Sequence, residues 1–253
     1  MLRSVQRNLT ALARLLRVLV HLLRGAWTIW RHFPGMAPAQ RSAEVQAWAA
    51  DMLRRLSVDV RVRGEVARRG PVLLAANHVS WLDIMAIHAA QHCRFVAKSE
   101  VKHWPLLGML ATGAGTLYIE RESRRDAMRV VHHMADRLRE GDILAVFPEG
   151  TTGDGTQVLP FHANLLQAAV SAGAPVQAVA LRYAEAASDA TSLIPCYVGD
   201  DSLVASVWRT LCAEPLRVEL QFGAVRFAEG RDRRVWAADV RAEIVQMHQR
   251  NGA

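Results

Sequence analysis

Val72-Leu73-Leu74-Ala75-Ala76-Asn77-His78-Val79-Ser80-Trp81-Leu82-Asp83 is the stretch that decides the fold. Five consecutive apolar residues, 72–76, are what a strand buried on both faces requires, as in the middle of a parallel sheet. Asn77 to Ser80 then interrupt the run, and residues 81–91 take up a helical pattern. A buried strand passing directly into a helix predicts an α/β sheet with helices on its faces. In such folds the reactive groups gather where strands end, and His78 stands at that place.

The same alternation extends in both directions. Val58, Val60 and Val62 alternate with charged residues as a half-buried strand. Further strands are expected at 95–97, 116–119, 143–147, 176–181 and 218–222. Helices are expected at 99–110, 124–140, 164–172, 202–211 and 234–249. Residues 57–253 therefore read as one α/β domain with a mixed, largely parallel sheet flanked by helices. No internal repeat or low-complexity tract is present.

The net charge of +7 is unevenly placed. Residues 1–43 hold Arg3, Arg7, Arg14, Arg17, Arg24, Arg31 and Arg41 and no acid, the first carboxylate being Glu44. Of the 31 Lys and Arg, the 24 outside this segment equal the 24 Asp and Glu. A neutral body behind a basic N-terminus argues against a nucleic-acid footprint and for a membrane surface bearing anionic lipids. On a helical wheel the six arginines from Arg3 to Arg31 fall within an arc of roughly 120°. Leu9, Leu12, Leu15, Leu16, Leu19, Leu22, Leu23, Trp27 and Trp30 fill much of the rest.

That pattern predicts an amphipathic interfacial helix, monotopic or peripheral at the cytoplasmic face of a membrane. The alternative is a helix that packs its apolar side on the domain. No interval between its arginines reaches the ~20 apolar residues of a span, and the arginines also interrupt any signal-peptide core. Pro34, Gly35 and Pro38 break the helix and 42–56 resumes it, so 1–56 is expected to be a helical membrane-association segment. The longest uncharged stretch, 155–181, carries Pro160, Gly173 and Pro175 and reads as loop, helix and strand of a soluble core. Cys93, Cys196 and Cys212 form no CxxC or Cys/His cluster, so neither a zinc site nor a disulfide framework is expected.

His78 and Asp83 are five residues apart. With His78 in the turn and Asp83 in the first helical turn, the carboxylate can fold back to the imidazole. An Asp on one ring nitrogen fixes the tautomer, so the other nitrogen can take a proton from an alcohol. Ser80-Trp81-Leu82-Asp83 also fits an N-terminal capping box, in which His78 is only a turn residue. Phe147-Pro148-Glu149-Gly150-Thr151 follows another strand end, where it can order backbone amides around an anion or form a simple turn. Arg121, after Gly115-Thr116-Leu117-Tyr118-Ile119-Glu120, is either a phosphate fork or a surface ion-pair residue. His88 and His92 are spaced as metal ligands but lack a third, and His132 and His133 read as solvated surface.

Taken together, NHVSWLD, GTLYIER, FPEGT and APVQAVAL closely resemble, in order and spacing, the four signature blocks of the glycerolipid acyltransferase family, which includes the 1-acylglycerol-3-phosphate acyltransferases. The resemblance covers about residues 70 to 185. It implies that His78 is the general base and that Asp83 orients it. It further implies that Gly115 and Arg121 hold the acceptor phosphate and that Glu149, Gly150 and Thr151 shape the acceptor site. Lys98 is a further candidate for a donor or acceptor phosphate. The family transfers an acyl group directly from acyl-CoA or acyl-carrier protein to a lysophospholipid, without metal or other cofactor. The absence of a GxSxG elbow agrees with that. One departure concerns the head group: members specific for lysophosphatidate commonly carry arginine after FPEGT, where this chain has Thr152 within FPEGTTGDG, a form resembling branches that act on lyso-ornithine lipid. A non-enzymatic membrane-binding module is the remaining alternative, against which the joint presence of His78, Asp83, Arg121 and Glu149 argues.

Overall fold

The computed structural model describes residues 2–119 and 124–252. In chain order they form α1 (Leu2–Arg31), α2 (Pro38–Arg55), β1 (Val58–Arg63), β2 (Val72–Ala76), α3 (Leu82–Ala90), β3 (Arg94–Lys98), α4 (Leu107–Gly113), β4 (Leu117–Ile119), α5 (Arg124–Arg139), β5 (Ile143–Val146), α6 (Gln167–Ala172), β6 (Val176–Glu185), α7 (Leu203–Leu211), β7 (Leu216–Arg226) and α8 (Arg233–Gly252). The seven strands make one sheet in the order β1-β7-β6-β2-β5-β3-β4. Every neighbouring pair is parallel except β6 with β7. The expected mixed, largely parallel sheet is therefore the one observed.

Strand β2 lies near the middle of the sheet and is buried at every position. Its alternate side chains enter two separate cores. Val72, Leu74 and Ala76 join the core beneath α2, α3 and α7, whereas Leu73 and Ala75 join the core beneath α5, α6 and α8. This two-sided burial is why the segment is apolar throughout.

Two expectations need correction. The single helix over 99–110 is instead a 3₁₀ turn, Ser99–His103, followed by α4. Pro105 forces the residue before it, Trp104, into an extended conformation at φ −70°, ψ 126°. Strands β6 and β7 also run well beyond the apolar cores 176–181 and 218–222. Arg182 faces Glu219 across the antiparallel register, and its Nη2 donates to Glu219 Oε2 at 3.1 Å with both side chains buried. A charge that looks like the end of a strand thus lies within one because its partner is built in opposite.

Helix α1 packs on α2, α4 and α7. The docked face is Ala11, Arg14, Leu15, Val18, His21, Leu22 and Gly25, with the His21 ring stacked on Trp48 of α2 at 4.9 Å. Arg14, expected on the headgroup side, turns inward, and its Nη1 donates to the carbonyls of Leu211 and Ala213 at the end of α7 (2.9 and 2.6 Å). There it meets the negative end of that helix. Leu9, Leu12, Leu16, Leu19, Leu23, Trp27 and Trp30 point away from the domain and are exposed. The predicted apolar face therefore divides, with Leu15 and Leu22 packing inward and the rest left uncovered. Among the described residues no helix is long and apolar enough to cross a membrane.

Candidate active site

The turn after β2 is fixed through its backbone. Asn77 caps the strand: its Nδ2 donates to the Leu181 carbonyl at 3.0 Å and its Oδ1 accepts from the Leu181 amide at 2.7 Å, so a side chain continues the pairing of β2 with β6. The His78 carbonyl accepts from the Gly153 amide at 2.7 Å, and the Val79 carbonyl from Tyr197 at 3.1 Å. Few groups in this turn are free to form any other structure.

Within that frame the His78 Nδ1 lies 2.8 Å from Asp83 Oδ2. The same oxygen accepts the amides of Val79 (2.7 Å) and Ser80 (2.9 Å). One Asp83 oxygen thus reaches back to the Ser80 amide, as the acid of a capping box does, and also meets the imidazole; the box is only half formed, since Ser80 Oγ accepts the Leu82 amide at 3.3 Å instead of the Asp83 amide. With Nδ1 engaged, Nε2 is the ring nitrogen left to exchange a proton. The His78 ring also stacks on Phe147 at 3.8 Å between centroids and 8° between planes, which fixes its tilt as well as its direction.

Glu149 is 4% exposed and sits beneath the turn, accepting the His78 amide at Oε2 (3.3 Å) and the Leu159 amide at Oε1 (3.2 Å). Burial pushes its carboxyl up to about 7, outweighing the two amides that favour the charged form. Gly150 adopts φ +74°, and a Cβ there would come within 2.9 Å of the His162 ring, so the position favours glycine on two counts.

His78, Phe147, Gly150, Val96, Lys98 and Leu165 line a cavity of about 150 Å³ at the C-terminal ends of the strands. Small-molecule sites usually measure ~300–1,000 Å³, so this cavity suits the reacting ends of larger substrates whose remainder lies outside. A wider groove of about 320 Å³ between Phe161 and α8 includes neither His78 nor Asp83.

The expected site residues are distributed unevenly around this cavity. His78, Gly150 and Lys98 line it; Asp83 and Glu149 support it from behind. Thr151 is exposed and outside the lining. Gly115 lies before β4, at the opposite end of the strands from His78, with its carbonyl accepting from Arg94 Nη1 at 3.3 Å. Arg121 lies outside the described residues. The Thr152 hydroxyl donates to the Tyr197 carbonyl and so holds two loops together. His88 and His92 stack on each other at 5.5 Å, and burial lowers His88 to about 3, leaving it a neutral packing residue.

Sequence reasoning missed Asn77, Phe147 as a ring support, and Tyr183. The first two lie inside the quoted motifs, but their roles depend on partners distant in sequence. The hydroxyl of Tyr183 donates to Asp83 Oδ1 at 2.7 Å.

The family model described as Acyltransferase matches residues 58–182. A 1-acyl-sn-glycerol-3-phosphate acyltransferase of Neisseria gonorrhoeae is 39% identical over 227 residues, covering 88% of each chain. The chain belongs to the acyltransferase family. A lyso-ornithine lipid O-acyltransferase of Pseudomonas aeruginosa is 40% identical over 187 residues, covering 74% of this chain and 70% of that one. In fold, this acyltransferase is similar to the crystal structure of the 1-acyl-sn-glycerophosphate acyltransferase PlsC from Thermotoga maritima, with a TM-score of 0.71 and 98% coverage of both chains at 21% identity.

The elevated Glu149 carboxyl carries a pH dependence of stability. Folded and unfolded chains both hold this proton well below pH 4.5; as pH rises to about 7 the unfolded chain releases it first, so stability is lost across that window. Glu149→Gln is expected to flatten the fall by at most about 3 kcal/mol. Denaturant unfolding at pH 5 and pH 8 checks this: parallel curves for both proteins would show that Glu149 does not titrate there.

Proposed function

We propose that this acyltransferase moves an acyl group from a thioester, acyl-CoA or acyl-carrier protein, to the free hydroxyl of a lysophospholipid, with His78 as general base. The observation that carries this reading is the 2.8 Å contact between His78 Nδ1 and a fully buried Asp83, beside a cavity that His78 lines. Nε2 accepts the hydroxyl proton while the oxygen attacks the thioester carbonyl, and Asp83 stabilises the imidazolium so formed. The new carbon–oxygen bond forms, the carbon–sulfur bond breaks, and the proton on Nε2 passes to the departing thiolate. The chemistry needs no acyl-enzyme, metal or other cofactor.

The leading acceptor is 1-acylglycerol-3-phosphate, giving phosphatidate. The Neisseria relative, matched over 88% of its length, carries that activity in its name. Lys98 supplies a cation on the cavity wall for a phosphate, and Arg121 is the second candidate by family resemblance. Lyso-ornithine lipid is a specific second reading, favoured by Thr152 and by the Pseudomonas relative's name.

The outward face of α1 supports docking on the membrane that holds such acceptors, here taken as its cytoplasmic face. About 45 Å of helix exposes Leu9, Leu16, Leu23, Trp27 and Trp30, with Arg7, Arg17 and Arg24 exposed beside them. Val204 and Trp208 on α7, and Trp104 and Met109 at α4, add uncovered apolar surface on two of the helices that α1 touches. Leucines in the acyl boundary with arginines at anionic headgroups is how an interfacial helix holds.

Two measurements test this function. Purified protein assayed with a panel of lysolipids against acyl-CoA and acyl-carrier protein is expected to prefer 1-acylglycerol-3-phosphate, and His78→Ala to lose ~10² to 10⁴-fold in turnover with its fold intact. Full turnover by His78→Ala would remove the base assignment, and a preference for lyso-ornithine lipid would select the second acceptor. Replacing Arg7, Arg17 and Arg24 together with Gln is expected to weaken binding to anionic vesicles by ~1 kcal/mol per charge, an effect that shrinks as salt rises. Unchanged partitioning would show that α1 does not read the headgroup charge.

A further inference from the structure

Asp83 has one oxygen turned away from His78, into the core. Oδ2 is saturated by His78, Val79 and Ser80, while Oδ1 meets a single hydrogen-bond donor, the Tyr183 hydroxyl at 2.7 Å. Tyr183 projects from β6 two residues before the strand ends at Glu185, one hundred residues along the chain, and is 2% exposed. Asp83 itself is fully buried, so no solvent reaches Oδ1 to replace this donor. Burial and the neighbouring carboxylate hold the phenol well above its ordinary range, so it remains a donor at any working pH.

We infer that Tyr183 is a positioning residue for acyl transfer: its hydroxyl holds the Asp83 carboxylate in the plane and rotamer that present Oδ2 to His78. The inference rests on His78 acting as base. A carboxylate in the first turn of a helix can rotate about its own side-chain bonds, and three donors gathered on one oxygen do not fix the other. A rigid phenol on the sheet does, because the Tyr183 backbone is held on both sides, paired with Val218 of β7 and accepting the Ser192 amide at its carbonyl (2.9 Å). The residue thereby transmits the register of the sheet to the imidazole. The opposing role is simple packing, in which the Tyr183 ring fills the core beside Leu181, Val179 and the other apolar residues of its cluster and the hydroxyl is incidental.

A double-mutant cycle separates these roles. Tyr183→Phe keeps the ring, and it is expected to lower kcat about ten-fold or more, the scale of a lost hydrogen bond to a charged group. The KM values for donor and acceptor should stay within about two-fold, since Tyr183 does not line the cavity. In an Asp83→Asn background the same substitution is expected to change the residual kcat less than about two-fold, because its target is already altered. An equal loss in both backgrounds, or unaltered kcat in the first, overturns the inference. Should Tyr183→Phe fail to fold, the cycle is run with 3,5-difluorotyrosine at position 183, which keeps the shape and changes the donor strength. A kcat change confined to the Asp83 background supports positioning, and an equal change or none in both overturns it. His78→Ala is assayed alongside: if it keeps full turnover, the base assignment itself fails, whereas an inactive His78→Ala with an uncoupled Tyr183 confines the failure to the positioning role.

Discussion

The carboxylate of Asp83 accepts four hydrogen bonds inside the core, from His78, Val79, Ser80 and Tyr183. An uncompensated carboxylate at this depth would be costly enough to take up a proton or force the turn apart. Its full complement of donors is thus a condition for the turn to exist. That condition also aligns the imidazole, so the stability of the turn and the chemistry of the site rest on the same contacts. Glu149 repeats the arrangement one layer below, where a second buried carboxyl holds the His78 backbone while Asp83 holds its ring. Two acids with different environments serve one histidine.

The sheet and the helices at its edge divide the remaining tasks. Parallel strands β2, β5 and β3 deliver His78, Phe147 and Lys98 to a common edge, which a hairpin meander would scatter between two ends. On the flank, α1 has two opposed faces: one that docks, mixing Ala11, Leu15, Val18 and Leu22 with Arg14 and His21, and one carrying the other leucines and the tryptophans that does not. The inward turn of Arg14 onto the end of α7 links the proposed membrane face to the helix whose Ser206 Oγ accepts from Trp81 Nε1 at 3.2 Å, at the start of α3. A continuous set of packed elements therefore runs from the outward helix to the turn that carries His78.

Much of this was legible in the sequence because the signals were local. Five apolar residues at 72–76 could only be a strand buried on both faces, and the spacing of His78 and Asp83 allowed the fold-back that the structure contains. What escaped was non-local. Arg182 looked like the end of a strand because Glu219, thirty-seven residues later, was not recognisable as its partner. Tyr183 carried no motif, and its hydroxyl acquires meaning only when β6 is placed beside β2. On α1 the amphipathic pattern was visible, but a helical wheel does not say which apolar residues a neighbouring helix will cover, and Leu15 and Leu22 separate from the others for that reason alone.

The central claim is that Asp83 holds a proton on Nδ1 of His78 and leaves Nε2 free to accept one. Nitrogen-15 NMR of protein labelled in histidine, with His78 assigned by comparison with His78→Ala, reads the tautomer directly at a pH where the ring is neutral. The account predicts a protonated Nδ1 and an unprotonated Nε2, with the Nδ1 proton lost from its hydrogen-bonded position in Asp83→Asn. A neutral ring carrying its proton on Nε2 in the unaltered protein would contradict it.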